Sequence, residues 1–397
     1  MQIKSQLRSQ FTSTLIRLFP LVAAIGLTHS AFAADDLIVK IGHVAPISGP
    51  SAHLGKDNEN GAKMAIEELN AKGTMIGGKK VKFVLLAEDD GGDPKQGTAA
   101  AQKLVDAKVN GVIGHLNSST SIAAAKIYSD AGIPQISPST TSPVYTSMGF
   151  KTAFRVVAND AQLGGTLGRY AVQKLNAKTI AVIDDRSAYG QGVADEFIKG
   201  VKSQNPATKF ATRQYTNDKA TDFNAILTSI KASKPDVVFF GGMDSVGGPM
   251  LRQMKALGIT AKFMGGDGIC TNKLPDLAGD GLGENNVYCA EAGGVVAEQQ
   301  KASDDFRAAY KKKFGVEVII YAPYVYDAVM TMVDAMQQAK SANPAVYLPF
   351  LQSIHHKGVT GEITFDKKGD IADGTLSLYT FKAGKRDVLE VVKTGRK

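Results

Sequence analysis

"VNGVIGHLNSSTSIAAAKIYSD" (residues 109–130) changes character in its middle. Residues 109–113 form a short, largely apolar run, the pattern of a strand covered on both faces. Residues 122–130 repeat apolar positions at helical spacing. Between the two stand Asn117, Ser118, Ser119 and Thr120, clustered at the mouth of the helix. A strand that leads through a short loop into a helix is the unit of a parallel sheet, and such sheets take ligands at the carboxyl ends of their strands.

The same unit recurs on both sides. Residues 39–44, 81–86, 112–116 and 133–136 read as strands, while Ala62, Ala65, Ile66 and Leu69 mark a helix stopped by Gly73. After "FRVVAND" (154–160) the rhythm restarts. Leu163, Leu167, Tyr170 and Ala171 mark a helix, then come a strand in "TIAVIDD" (179–185), a helix on Phe223, Ile226, Leu227 and Ile230, and a strand in "PDVVFFGG" (235–242). A helix on Val246, Met250, Met254 and Leu257 stops at Gly258, before a strand in "AKFMGG" (261–266). Late in the chain two helices, near 324–340 and 347–354, precede "GEITFDKKGD" (361–370) and "GTLSLYTFKAGKRDVLEVV" (374–392), which alternates about a turn at Gly384. The fold class is therefore α/β, with two Rossmann-like lobes of parallel sheet flanked by helices. Lobe 1 is expected over 34–156 plus 287–378 and lobe 2 over 157–286 plus 379–397.

The first residues bear on compartment. Lys4, Arg8 and Arg17 precede the short apolar run 18–27, and Ala31-Phe32-Ala33 has the small-x-small form of a secretory cleavage site. Residues 1–33 are expected to be a signal peptide cleaved after Ala33. A membrane span would need ~20 apolar residues, and this run is broken by Pro20, Gly26 and Thr28. Cleavage would remove those three positive charges from a formal net charge of +8, leaving +5. That excess is scattered, without a basic stripe or interleaved aromatics, so no nucleic-acid partner is expected. The two cysteines, Cys270 and Cys289, suggest one disulfide in an oxidising compartment; two buried thiols are the alternative.

Two hydroxyl-rich loops carry the functional signal. Free N–H groups at a helix start favour an anion, and Ser118, Ser119 and Thr120 add donors, so the first loop suits a carboxylate. One cap would need only one such residue. The second loop, "ISPSTTSP" (136–143), sets Ser139, Thr140 and Thr141 between two prolines. Two neighbouring strand ends of this kind could grip both ends of a zwitterion. Asp184, Asp185, Asp244 and Asp267 stand at strand ends of the second lobe as counter-charges for an ammonium. Two motifs are decoys. "GQGVAD" (190–195) puts Asp195 where a dinucleotide site needs a third glycine, and "DDGGDP" (89–94) lacks the late Glu of a calcium loop, so Asp93 and Pro94 read as a helix start. No nucleophile elbow, zincin helix or phosphate loop occurs, and His355-His356 reads as surface. No metal, cofactor or catalysis is expected.

"GHLNSST" and "ISPSTTSP", preceded by "NENGAKMAIEELNAKG" and "DDGGDPKQ" and followed by "DDRSAYGQG", "FFGGM", "LRQMKALG" and "FMGGDG", resemble the periplasmic leucine/isoleucine/valine-binding protein family that feeds ABC importers. The resemblance spans nearly all of the chain after residue 33, in order. It implies a type I periplasmic binding fold, two lobes joined by three crossovers and closing on an amino acid. It implies that Ser118 binds the ligand carboxylate through its hydroxyl and N–H, helped by the N–H of Thr141. The Ser139 carbonyl and Thr141 hydroxyl would take the ammonium, Asp267 would pair with it from the other lobe, and Tyr189 would close near the carboxylate. Thr140 belongs to the same loop, and Leu54 and Met243 would flank an aliphatic side chain. Asp267 replaces the Glu of the best-known members, Leu54 and Met243 stand where aromatics are common, and Asn117 replaces a cysteine paired in some members, whereas the Cys270 and Cys289 pair occurs in others. The expected protein is a periplasmic, monomeric binder of a branched-chain or similar aliphatic amino acid, working with a membrane permease. A binder of another small amide or carboxylate is the alternative, and an enzyme on the same fold is the contrasting class.

Overall fold

The computed structural model describes residues 36–394; the expected signal peptide lies outside them. The first sheet has the order β2-β3-β1-β4-β5-β6, built from β1 (Leu37–Ala45), β2 (Met75–Ile76), β3 (Lys79–Asp89), β4 (Gly111–Gly114), β5 (Gln135–Ser137) and β6 (Ala153–Arg155). All its pairings are parallel except the β2–β3 hairpin. The second has the order β15-β14-β11-β10-β9-β7-β8. Its strands are β7 (Thr179–Asp184), β8 (Lys209–Tyr215), β9 (Val237–Gly241), β10 (Lys262–Gly265), β11 (Val287–Glu291), β14 (Thr375–Lys382) and β15 (Lys385–Lys393). A small ribbon of β12 (His356–Lys357) and β13 (Glu362–Ile363) lies between β11 and β14 in the chain. β4 and β9 are buried at every residue, which is why their sequences are continuous apolar runs rather than alternations.

Both sheets change strand order beside their first strand. β3 lies on one side of β1 and β4 on the other, and β7 is likewise flanked by β8 and β9. These are topological switch points, where adjacent loops diverge and open a crevice. Loops after β1, β4 and β5 face loops after β7, β9 and β10.

Sheet membership shifts the expected lobe boundaries. Residues 287–291 and 375–378 were assigned to lobe 1, but β11 pairs in parallel with β10 (Phe263↔Val287) and β14 pairs antiparallel with β11. Apolar alternation identifies a strand without saying which sheet it extends. The chain therefore passes between sheets after Arg155, after Glu291 and before Thr375. These crossovers are bonded to one another: Ala158 N donates to Ala292 O (2.8 Å) and Thr375 Oγ1 to Gly294 O (2.7 Å).

The terminal hairpin turns on Ala383 and Gly384, both at positive φ (47° and 69°), the two-residue turn whose twist matches antiparallel strands. Cys270 and Cys289 are disulfide-bonded, with Cα atoms 5.3 Å apart. The bridge ties the turn after β10 to β11 inside the second lobe's core. Closing a loop of this length should stabilise the fold by ~3 kcal/mol. Replacing both cysteines by serine should therefore lower the urea midpoint by that equivalent, and an unchanged midpoint would show that the bridge contributes nothing.

Candidate functional site

The helix Ser118–Asp130 is capped at Asn117, but the Asn117 side chain makes no capping bond. The first bond within the helix is Ser121 N to Asn117 O (3.0 Å), which leaves the N–H groups of Ser118, Ser119 and Thr120 ahead of the ladder. Ser118 is buried (2% exposed), and its Oγ accepts from Ser142 N in the second loop (3.3 Å). Ser119 Oγ reaches the other lobe, accepting from Ala188 N (3.0 Å).

The second loop is shaped from beneath by a charge. Arg155 is fully buried at the end of β6, and its guanidinium donates to the carbonyls of Thr140 and Ser142 (2.9 Å each), to Thr146 Oγ1 and to Asp370 Oδ1 (2.6 Å each). Thr140 is turned away from any ligand: its hydroxyl lies 2.6 Å from Ser121 Oγ and near the carbonyls of His115 and Leu116. Ser139 Oγ donates to Leu116 O (2.9 Å). Thr141 is the exception, fully buried with an Oγ1 that makes no hydrogen bond.

Three of the four candidate counter-charges are committed elsewhere. Asp184 accepts from Arg213 (2.9 and 3.0 Å) and Asp185 from Ser187 N (2.9 Å). Asp244 accepts from Thr271 Oγ1 (2.6 Å) and meets His53 across the lobes (2.9 Å). Asp267 keeps a fully buried oxygen without a hydrogen-bond partner. It is 1% exposed, its Oδ2 accepts from Tyr321 Oη (3.1 Å), and its Oδ1 has no partner. Burial pushes its pKa up to about 6, although the Tyr189 and Tyr321 hydroxyls pull it back in part.

Tyr189 sits on the Asp267 turn, its Oη accepting from Gly268 N (2.9 Å). A Cβ on Gly268 would lie 2.9 Å from the Tyr189 ring and 3.0 Å from Met243 Sδ, so the turn requires glycine there. Tyr189 thus contacts the Asp267 turn and also lines the cleft pocket with Asn117, Ser118 and Ser119. Leu54, Leu116, Ile320 and Tyr321 form a small apolar cluster, with Met243 packed against it. Leu54 and Met243 therefore belong to one apolar cluster to which both lobes contribute.

Two residues were not anticipated. Asp160, at the start of the helix Asp160–Gln173, is fully buried and neither of its oxygens has a hydrogen-bond partner. Burial raises its pKa well above the ordinary value, the Thr141 hydroxyl offsets part of this, and the Asp267 charge adds to it. A Cβ on Gly192 would sit 2.8 Å from Asp160 Oδ2, so "GQGVAD" supplies close approach rather than a phosphate loop. In sequence Asp160 is an acid in a first helical turn, where the helix dipole already explains it. Tyr321 was also missed, being 54 residues from its partner Asp267. It is held by Asp57, whose carboxylate accepts from the backbone N–H groups of Ile319, Ile320, Tyr321 and Ala322 at 2.8–3.1 Å.

The decoys resolve structurally. Asp93 caps its helix by accepting from Lys95 N and Gln96 N, with Pro94 in the first turn. His355 is exposed beside Glu362, and His356 lies against Asp334. Among the described residues no cluster of metal-binding side chains occurs, and no helix is long and apolar enough to cross a membrane.

Residues 38–386 match the profile of the family described as periplasmic binding protein. The chain is 36% identical over 373 residues to the Leu/Ile/Val-binding protein homolog 1 of Brucella abortus (strain 2308), covering 94% of this chain and 96% of the relative. It is 33% identical over 368 residues to the leucine-, isoleucine-, valine-, threonine- and alanine-binding protein of Pseudomonas aeruginosa, covering 93% and 96%. Its fold is similar to the branched-chain amino acid transporter substrate binding protein LivJ of Streptococcus pneumoniae, solved with isoleucine, with a TM-score of 0.80 and 28% identity over 90% of this chain and 99% of that one. The chain belongs to the periplasmic binding protein family.

The raised Asp267 pKa has a signed consequence. Between the ordinary value of 3.8 and about 6 the folded state holds the proton more tightly than the unfolded chain, so ligand-free stability falls as pH rises through that window. Asp267→Asn removes the ionising group while keeping its size. The ligand-free variant should exceed the parent in stability at pH 8, by up to about 3 kcal/mol, and lose that advantage by pH 4. Urea midpoints that differ equally at both pH values would contradict the assignment.

Proposed function

We propose that this member of the periplasmic binding protein family captures an aliphatic amino acid of the branched-chain class and presents it to an ABC-type importer in the membrane. One observation carries the reading. Three buried groups, Thr141 Oγ1, the Asp160 carboxylate and Asp267 Oδ1, lie close together, with the Thr141 hydroxyl beside the Asp160 carboxylate and the two carboxylates near enough to interact, and all three can accept a hydrogen bond. Buried acceptors that include two carboxylates call for a cation with several N–H donors, which an α-ammonium supplies. The helix start at Ser118 supplies the complementary donors for the α-carboxylate. The apolar pair Leu54 and Met243 suits an aliphatic side chain, in keeping with the ligands named for the relatives.

The same groups argue for binding rather than chemistry. The named residues provide donors, acceptors and charge, and the Ser118 hydroxyl accepts from the Ser142 amide rather than donating to a base that could activate it. The chain acts by holding and releasing an unaltered ligand.

Ser118→Ala, Asp267→Ala and Asp160→Asn should each weaken leucine binding by more than tenfold in isothermal titration calorimetry of refolded, ligand-stripped protein. Affinities unchanged in Ser118→Ala and Asp267→Ala would refute the site.

A further inference from the structure

One arginine of lobe 2 gathers the groups that cross to a single segment of lobe 1. The side chain of Arg386, on β15, is 8% exposed, and that of Glu291, its partner at the end of β11, is 5% exposed. The guanidinium donates to Glu291 Oε2 (2.9 Å), to Cys270 O (2.8 Å) and to Asn272 Oδ1 (3.0 Å). It also lies 4.6 Å from the centre of the Tyr379 ring. A planar guanidinium presents its donors in one rigid fork, so it dictates how its three acceptors are spaced.

Each acceptor leads across to lobe 1. Glu291 Oε1 accepts from Tyr324 Oη (2.7 Å), and a Cβ on Gly293 would lie 2.1 Å from that hydroxyl, so the crossover passes it only as glycine. Asn272 donates its Nδ2 to Val318 O (2.9 Å) and its backbone N–H to Ile319 O (3.4 Å). With its amide reversed, Asn272 would set an oxygen against the Val318 carbonyl and a donor against Arg386, losing both side-chain bonds. Cys270 N donates to Asp267 O (3.0 Å), which closes the turn that brings Asp267 to Tyr321 Oη. Residues 318–324 thus meet lobe 2 at three places, each held from behind by Arg386.

We propose that Arg386 is a positioning residue for ligand capture, which fixes Glu291, Asn272 and the Asp267 turn in one arrangement and so readies lobe 2 to close on residues 318–324. The inference rests on the two-lobe capture proposed above. Open and closed lobes differ in the contacts made to 318–324, so a side chain that organises those contacts in advance shifts the balance toward closure. Ligand enters the open form and leaves after the lobes part, so the effect falls on release rather than on entry.

Arg386→Lys separates this role from a merely structural one. Lysine keeps a positive charge beside Glu291, but its compact ammonium cannot span three acceptors in the guanidinium's geometry. The urea midpoint should stay near that of the parent, while stopped-flow kinetics on refolded chain should show leucine dissociating roughly fivefold faster with its association rate unchanged. Asn272→Ala, at an exposed position, should speed dissociation roughly threefold, and the double variant should show less than the product of the two effects. If Arg386→Lys fails to fold, Arg386→Met combined with Glu291→Gln removes both charges and takes its place. Small-angle scattering of the ligand-free chain should give a larger radius of gyration for both single variants than for the parent. Parental leucine dissociation in Arg386→Lys, fully multiplicative effects in the double variant, or a radius of gyration unchanged in both single variants would overturn the proposal. The scattering arm needs no leucine, so failure of leucine to bind the parent counts against the proposed function and leaves that arm to decide.

Discussion

Two carboxylates sealed in a cleft without a cation are the constraint around which this structure is organised. Asp160 and Asp267 are both buried, burial raises the pKa of each, and the Asp267 charge adds to that of Asp160. Charges removed from water in this way destabilise a fold unless they are paired or neutralised by protonation. On the function proposed above, a ligand ammonium would resolve the conflict, so the strength of binding would draw on the cost of burying these two charges.

Much of the surrounding scaffold serves to hold those groups in place. Arg155 fixes the loop that presents Thr141 by holding the carbonyls on either side of it. Asp57 gathers four backbone N–H groups and so delivers Tyr321 to Asp267. The disulfide begins three residues after Asp267 and anchors its turn to β11. Direct polar contacts between the lobes around the cleft include His53 with Asp244, Ser119 with Ala188, Tyr321 with Asp267, and Asn272 with the carbonyls of Val318 and Ile319. Each is worth about 1 kcal/mol net. A small set of contacts keeps closure nearly balanced, so that a ligand touching both lobes decides it.

The strand and helix rhythm was legible because parallel strands are buried on both faces and their helices carry one apolar stripe. The two hydroxyl-rich loops were legible because they exceed what a cap or turn needs. What escaped has physical reasons. Thr140 and Thr141 are adjacent and chemically alike, and loops lack the period that tells which of two neighbours faces inward. Asp160 has a sufficient local explanation as a first-turn acid, and only its burial shows otherwise. Tyr321 and Arg155 act through contacts distant in sequence. The assignment of β11 and β14 to the second sheet depends on pairing partners, which alternation does not encode.

The central claim is that the cleft grips both ends of an amino acid, and ligands lacking one end test it most directly. Thermal shifts of refolded protein should be compared for leucine, for 4-methylpentanoate, which lacks the ammonium, and for isopentylamine, which lacks the carboxylate. At 100 times its dissociation constant a ligand stabilises by about 2.7 kcal/mol, so leucine should give a clear shift and the two analogues at the same concentration none. A shift from 4-methylpentanoate equal to that from leucine would mean that Asp160 and Asp267 do not meet an ammonium, and the account would fail at its base.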